Sequence, residues 1–199
     1  MKRTEEQCRT LQDLKKKMRR VLLKERRNAH IQADKNTLLD MHVRIILDRF
    51  VEVHTIGFYW PLPDEFDARK VVLSWCTEFQ ERRSALPVIR EQNAPLEFRV
   101  WNSSTPMQKG HHQITEPNST EIVIPDLLLI PCIGFDLQNY RLGYGNGYYD
   151  RTLNMWRTEL QPVTVGLAYE SCKIDSLPVE AHDYRLDWIV TEVAIYDKT

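Results

Sequence analysis

No apolar run in this chain approaches the roughly 18 residues that a helix needs to cross a bilayer, which excludes a helical membrane span. Also missing is a secretory leader: "MKRTEEQCRTLQDLKKK" is charged where a leader has its apolar core, so a cytoplasmic protein without a membrane partner is expected. Cysteine is scarce and scattered. Cys8, Cys76, Cys132 and Cys172 form no C-x-x-C pair and lie at no metal-ligand interval from a histidine, so they read as reduced, mostly buried thiols. Among the histidines, His111 and His112 are adjacent and expected to point apart, while the others are isolated, so no histidine-rich transition-metal centre is expected. There is neither a G-x-x-x-x-G-K-[ST] loop nor a G-x-G-x-x-G fingerprint, and no recognisable Ser-His-Asp or Cys-His arrangement. Without internal repeats, low-complexity tracts or a dividing linker, the chain reads as one domain spanning residues 1–199.

What is present is an ordinary globular composition, with 42% hydrophobic and 28% charged residues, and an uneven charge. The net charge is -1, yet residues 1–30 hold eleven Lys or Arg against four Asp or Glu, a local +7 that leaves -8 for the remainder. A basic segment on an acidic body suits an anionic partner. Nucleic acid is not expected, because aromatic residues are not interleaved with the basic ones and the rest of the chain is acidic.

Leu11, Leu14, Met18, Val21 and Leu22 recur at helical spacing and predict an amphipathic helix over about residues 3–29, packed through that stripe. A second helix is predicted through Leu38, Leu39, His42, Ile45, Ile46 and Phe50, capped by Asn36 or Thr37, with His42 packed rather than ligating. "VEVHTIGFYWP" from Val51 reads as a strand. A helix is expected from Asp64, burying Ala68, Val71, Val72, Trp75, Cys76 and Phe79. Strands follow near Ala85 to Ile89 and Leu96 to Trp101, then an exposed polar loop over about 102–118. "DLLLI", ended by Pro131, has the continuous apolar character of a central parallel strand. A helix from Tyr148 to about Trp156, a buried strand at "VTVGLAY" and a terminal strand or hairpin in "RLDWIVTEVAIY" complete the pattern. Helices alternating with buried strands predict an α/β fold: a three-layer α/β/α sandwich, Rossmann-like, around a largely parallel but mixed sheet.

The most informative stretch is "RLGYGNGYYDR", Arg141 to Arg151. Glycines at 143, 145 and 147 let successive N–H groups curve into an anion-binding nest, and a helix N-terminus just beyond adds the positive end of its dipole. Arg141 supplies a planar fork of donors for a polyphosphate. Asp150 would repel phosphate on its own, and Mg²⁺ bridging carboxylate and phosphate resolves that conflict. On the N-terminal helix, Lys15 with Arg19 and Lys16 with Arg20 have equal claims, by spacing, to grip the same anion. In "FYWPLPDE", the rings of Tyr59 and Trp60 beside Asp64 or Glu65 suit a flat heterocycle with ring N–H donors; the alternative makes them core residues and a helix cap.

Together with "KKKMRR", "LPVI", "APLEFRVW", "QITEP", "PDLLLIPCIGFD", "VGLAY" and "LPVEAHDYRLDWIVTE", these stretches give the chain, almost end to end, a resemblance to the bacterial 5-formyltetrahydrofolate cyclo-ligase (5,10-methenyltetrahydrofolate synthetase) family. The resemblance implies ATP- and Mg²⁺-dependent conversion of 5-formyltetrahydrofolate to 5,10-methenyltetrahydrofolate, by a monomer or weak homodimer. It implies that Lys15 and Arg19 contact phosphate, that Arg141, Leu142, Gly143, Tyr144, Gly145, Asn146, Gly147, Tyr148 and Tyr149 form the ATP loop, and that Arg141 is catalytic. Asp150 and Asp183 correspond to metal carboxylates, and Tyr59, Trp60 and Glu65 to the folate-contacting segment. The sequence departs from the family pattern at Tyr140, Asn146 and Cys172, which leaves open a protein that binds ATP and folate with little turnover. Asn tolerates positive φ, so the loop is expected to form.

Overall fold

The computed structural model describes residues 5–156 and 161–198, with side chains from Thr10 onward, so the Cys8 thiol and the predicted helical residues 3 and 4 lie outside the described residues. Helices α1 (Glu5–His30), α2 (Ala33–Leu47), α3 (Arg69–Cys76) and α4 (Tyr148–Trp156) surround strands β1 (Thr55–Gly57), β2 (Arg83–Val88), β3 (Glu97–Trp101), β4 (Met107–Lys109), β5 (Thr115–Pro117), β6 (Leu127–Pro131), β7 (Gly134–Asp136), β8 (Arg141–Leu142), β9 (Val163–Leu167), β10 (Lys173–Ile174), β11 (Trp188–Val190) and β12 (Ile195–Asp197). The central sheet has the order β12-β11-β9-β6-β1-β2-β3. Its inner five strands are parallel, and the edge strands β12 and β3 run antiparallel to their neighbours.

The run at β6 is apolar throughout because both of its faces are covered. Leu127 and Leu129 pack among residues of α1, α2 and α3, whereas Leu128 and Ile130 pack with Leu153 and Trp156 of α4. Alternate side chains thus enter two separate cores, and the sheet is the middle of three layers. Full burial of such a side chain stabilises the fold by about 1.5–3 kcal/mol relative to exposure.

A smaller sheet, in the order β10-β7-β8, turns the chain into the glycine stretch. The buried Asp136 holds that turn: its Oδ1 accepts the N–H groups of Gln138 (3.0 Å) and Tyr140 (3.1 Å), and its Oδ2 accepts that of Leu177 (2.9 Å). Asn139, at φ 60°, takes the left-handed position that Asn accommodates better than most residues. β8 therefore leaves the turn with Arg141 at its start.

Several expected elements differ. The helix expected from Asp64 starts at Arg69, because Asp64 sits at φ 66°, outside helical space, and Phe79 lies beyond the helix and is exposed. The strand expected from Val51 is confined to β1. α2 begins after Gln32, so Asn36 and Thr37 are inside the helix and bond backward to the carbonyls of His30 and Ala33; Leu38 and Ile45 are exposed. His42 is packed as expected, its Nδ1 2.7 Å from the Thr191 carbonyl oxygen. The segment read as an exposed loop contains the β4–β5 hairpin with a buried Glu116. Strand spacing alone misses a hairpin of three-residue strands.

α1 also differs from the apolar-stripe reading. Leu14 and Val21 are exposed, while Lys15, Leu22, Arg26 and Ala29 are buried, so the helix turns a partly charged face inward. Among the described residues no helix is long and apolar enough to cross a membrane. Cys132 and Cys172 are buried, Cys76 is half-buried, and all three thiols are free.

Candidate active site

β8 and the start of α4 hold the glycine stretch between them. Gly145 (φ 99°) and Gly147 (φ 65°) take left-handed conformations, and their N–H groups need not compete with a side chain for space. The φ at Gly145 is what calls for glycine; a Cβ there would also come within 3.1 Å of the Arg19 guanidinium carbon and press that side chain slightly aside. Arg19 Nε donates to the Gly143 carbonyl oxygen at 2.7 Å, which fixes the loop to α1. Burial lowers the Arg19 pKa, and the charges of Asp183 and Glu180 oppose that shift. Asn146 is at negative φ, so its presence does not strain the loop; its carbonyl oxygen accepts a bond from Arg151 at 2.8 Å.

Lys15, Arg19 and Arg141 each have a carboxylate or carbonyl partner. Lys15 Nζ lies 2.8 Å from Glu180 Oε2 and 2.7 Å from Asp183 Oδ2, and Arg141 Nη1 lies 3.0 Å from Asp150 Oδ1. Asp150 Oδ1 also accepts the Tyr184 N–H at 3.3 Å. These charges are screened only weakly because their side chains are largely removed from solvent. An arriving polyanion can take over the cations, and the carboxylates released then need a cation of their own.

The aromatic-acid segment stands across the space. The Glu65 carboxylate is buried: Oε2 accepts the Leu62 N–H at 2.8 Å, and Oε1 lies 2.8 Å from the Tyr144 hydroxyl and 3.4 Å from Arg26 Nη1. Trp60 is sandwiched from one side by the Arg69 guanidinium, 4.4 Å above its ring, and meets the edge of Trp101 at 6.3 Å. The Tyr59 hydroxyl donates to the Phe66 carbonyl oxygen at 2.9 Å, so its proton is already committed. Burial and the nearby Glu65 charge push Tyr59 and Tyr149 well above the usual phenol range, so both stay neutral.

One cavity of about 980 Å³ brings these parts together. It is lined by Lys15, Arg19, Tyr59, Trp60, Glu65, Asp150, Asp183 and the whole stretch from Arg141 to Tyr149, so every site residue implied by the family resemblance faces the same space, whereas Asp64, the alternative to Glu65, does not line it. Of the two helical pairs, Lys15 with Arg19 is the one at the cavity; Lys16 reaches only its exposed rim and Arg20 does not line it. The position fits the rule that ligands of parallel sheets bind beyond the carboxyl ends of the strands, here those of β1 and β6.

Sequence reasoning assigned no role to His111, His112, Glu116 or Glu180, all of which line the cavity. The two histidines were expected to point apart. His112, at φ 56°, bends the chain so that both face the cavity, their ring centroids 6.4 Å apart, with His112 Nε2 3.2 Å from the Tyr148 hydroxyl. The quoted "QITEP" contains Glu116, but no spacing rule connects it with a loop some thirty residues away.

No group of three or more His, Cys, Asp or Glu among the described residues is arranged to hold a metal ion. The Asp150 and Asp183 carboxylates are hard oxygen donors beside a polyphosphate-sized space, which suits Mg²⁺ arriving on phosphate oxygens and keeping several waters.

A family model described as the 5-formyltetrahydrofolate cyclo-ligase family matches residues 6–192. The 5-formyltetrahydrofolate cyclo-ligase of Haemophilus influenzae is 32% identical over 142 residues, covering 68% of this chain and 74% of that one. The enzyme of the same name from Escherichia coli K12 is 30% identical over 155 residues, covering 74% and 82%. Among solved structures, the Aquifex aeolicus 5,10-methenyltetrahydrofolate synthetase superposes with a TM-score of 0.74 at 27% identity over 93% of both chains. The Mycoplasma pneumoniae synthetase gives 0.69 at 26% identity over 89% of this chain and 98% of its own.

Proposed function

We propose a reaction for this chain, which belongs to the 5-formyltetrahydrofolate cyclo-ligase family: ATP and 5-formyltetrahydrofolate are converted to 5,10-methenyltetrahydrofolate, ADP and phosphate. The observation that carries it is the single cavity in which a glycine nest and three cations face an aromatic-acid segment. Those two walls are the halves that a nucleotide and a pterin require.

The formyl group of an amide is a poor electrophile, and its oxygen a poor leaving group. In the proposed chemistry that oxygen attacks the γ-phosphorus and ADP departs. N10 then adds to the activated formyl carbon and loses its proton, and the C–O bond breaks to release phosphate with the former formyl oxygen. No protein nucleophile is required. The chain's task is alignment and charge stabilisation: Arg141 meets the transferring phosphoryl group, Lys15 and Arg19 hold the remaining phosphates, and the loop N–H groups complete the cradle. Trp60 and the Tyr59 ring form the apolar wall for the pterin, and Glu65 accepts its ring N–H donors. Asp150 and Asp183, freed from Arg141 and Lys15 by the phosphates, would hold Mg²⁺, which when bound neutralises charge on the transferring phosphates.

One chain completes the cavity, so the proposed active unit is the monomer. We place it in the cytoplasm, where free thiols such as Cys76, Cys132 and Cys172 persist. A purely ligand-binding protein is not favoured. Asn146 needs no positive φ, Cys172 is buried with its thiol 3.7 Å from the Leu22 carbonyl oxygen, and neither Cys172 nor Tyr140 lines the cavity.

The test is the near-ultraviolet absorbance of the purified chain mixed with 5-formyltetrahydrofolate, ATP and Mg²⁺, alongside samples lacking each component. A rise characteristic of the methenyl product that needs all of them is expected. Folded protein that binds both substrates and gives a flat trace would contradict the reaction.

A further inference from the structure

Tyr144 belongs to the glycine loop, yet its hydroxyl leaves the loop and crosses to the opposite wall. It donates to Glu65 Oε1 at 2.8 Å and accepts from Arg26 Nη2 at 2.8 Å. Arg26 comes from α1, two turns after Arg19, and is 4% exposed. Its guanidinium lies 5.5 Å from the centre of the Tyr144 ring, Nη1 reaches Glu65 Oε1 at 3.4 Å, Nη2 reaches the Pro63 carbonyl oxygen at 3.4 Å, and Nε has no hydrogen-bond partner among the described residues. With the Leu62 N–H on Oε2, both oxygens of the Glu65 carboxylate have partners, and one of those partners, Tyr144, belongs to the glycine loop. Burial and the Glu65 charge push the Tyr144 phenol up, so it remains a donor throughout the neutral range.

We infer that Tyr144, braced by Arg26, is a positioning residue that carries the state of the nucleotide loop to the carboxylate of the folate wall, so that each ligand's affinity depends on the other. The inference rests on the cyclo-ligase reading for the identity of the two ligands. Its physical basis is that a loop drawn onto phosphate moves the Tyr144 hydroxyl, and Glu65 Oε1 has only Arg26, at a longer distance, to replace it. Coupling of this kind is reciprocal: the factor by which the nucleotide changes folate affinity equals the factor by which folate changes nucleotide affinity.

Calorimetry on the intact chain measures that factor, using a non-hydrolysable ATP analogue with Mg²⁺ and 5-formyltetrahydrofolate, each titrated with and without saturating amounts of the other. In the wild type each ligand is expected to change the other's Kd by about fivefold or more. In Tyr144→Phe, which keeps the ring and removes only the hydroxyl, that factor falls towards one while each ligand alone still binds. Melting temperature checks that the variant is folded. Should Tyr144→Phe not fold, Arg26→Lys, which keeps a cation beside Glu65 but not the fork that also reaches Tyr144, is titrated in its place and is expected to lose the coupling likewise. Wild-type binding of both ligands without coupling, or a coupling factor unchanged in the folded variant, overturns the inference and leaves the reaction standing. Failure of both ligands to bind the wild type overturns the cyclo-ligase reading and the inference with it.

Discussion

The middle of the sheet and the cavity at its edge are built on opposite principles. At β6, Leu127 to Ile130 are fully buried hydrocarbons whose neighbours on both faces are also apolar. A few residues along the same fold, Lys15, Arg26, Glu65 and Arg141 are nearly as buried and all carry charge. Burying hydrocarbon is favourable by itself, while burying a charge costs free energy unless partners repay it, so the second region is stable only as a mutually paired set. The core holds the fold, and the cavity holds a set of ion pairs that a charged ligand can exchange.

That contrast breaks if stability and activity fail to separate under substitution. The largest effect is expected at Arg141. Arg141→Lys keeps a cation opposite Asp150 but loses the fork, so turnover should fall by about 10²–10³-fold with little change in melting temperature. Equal losses of stability and rate would make Arg141 a structural residue. In the core, Leu128→Ala should destabilise the fold by about 3 kcal/mol in denaturant titration and leave turnover at low temperature nearly unchanged. Next comes Lys15→Met, which leaves Glu180 and Asp183 facing the phosphates unneutralised. Its KM for ATP should rise roughly 10- to 100-fold, with the KM for 5-formyltetrahydrofolate nearly unchanged. The smallest effect belongs to Val21, exposed on the same helix. Val21→Ala should alter stability by no more than about 0.5 kcal/mol and leave kinetics alone, which sharpens the distinction between the two faces of α1.

The same contrast explains what was legible in the sequence. β6 is plain because an unbroken apolar run has few places to go except between two layers. The glycine loop is plain because Gly145 and Gly147 need conformations that other residues rarely adopt, and the charges around them specify an anion. α1 was legible as a helix but not in its orientation, since an apolar-stripe argument takes buried to mean apolar, and Lys15 and Arg26 are buried with partners from distant segments. Glu180 lies 165 residues beyond Lys15, and no local pattern connects them. α3 begins later than the sequence suggests because nothing in "PDEFDARK" reveals the left-handed Asp64, and the His111–His112 corner has no sequence signal because its shape depends on the positive φ of His112 and Gln113. Local signals found the elements; the contacts that turn them into a site are long-range and electrostatic.

The central claim is that the formyl oxygen of the substrate becomes an oxygen of the released phosphate. Turnover of 5-formyltetrahydrofolate labelled with ¹⁸O in the formyl group, followed by mass analysis of the phosphate, tests it directly. The account predicts one ¹⁸O atom in each phosphate formed; methenyl product accompanied by unlabelled phosphate would contradict it.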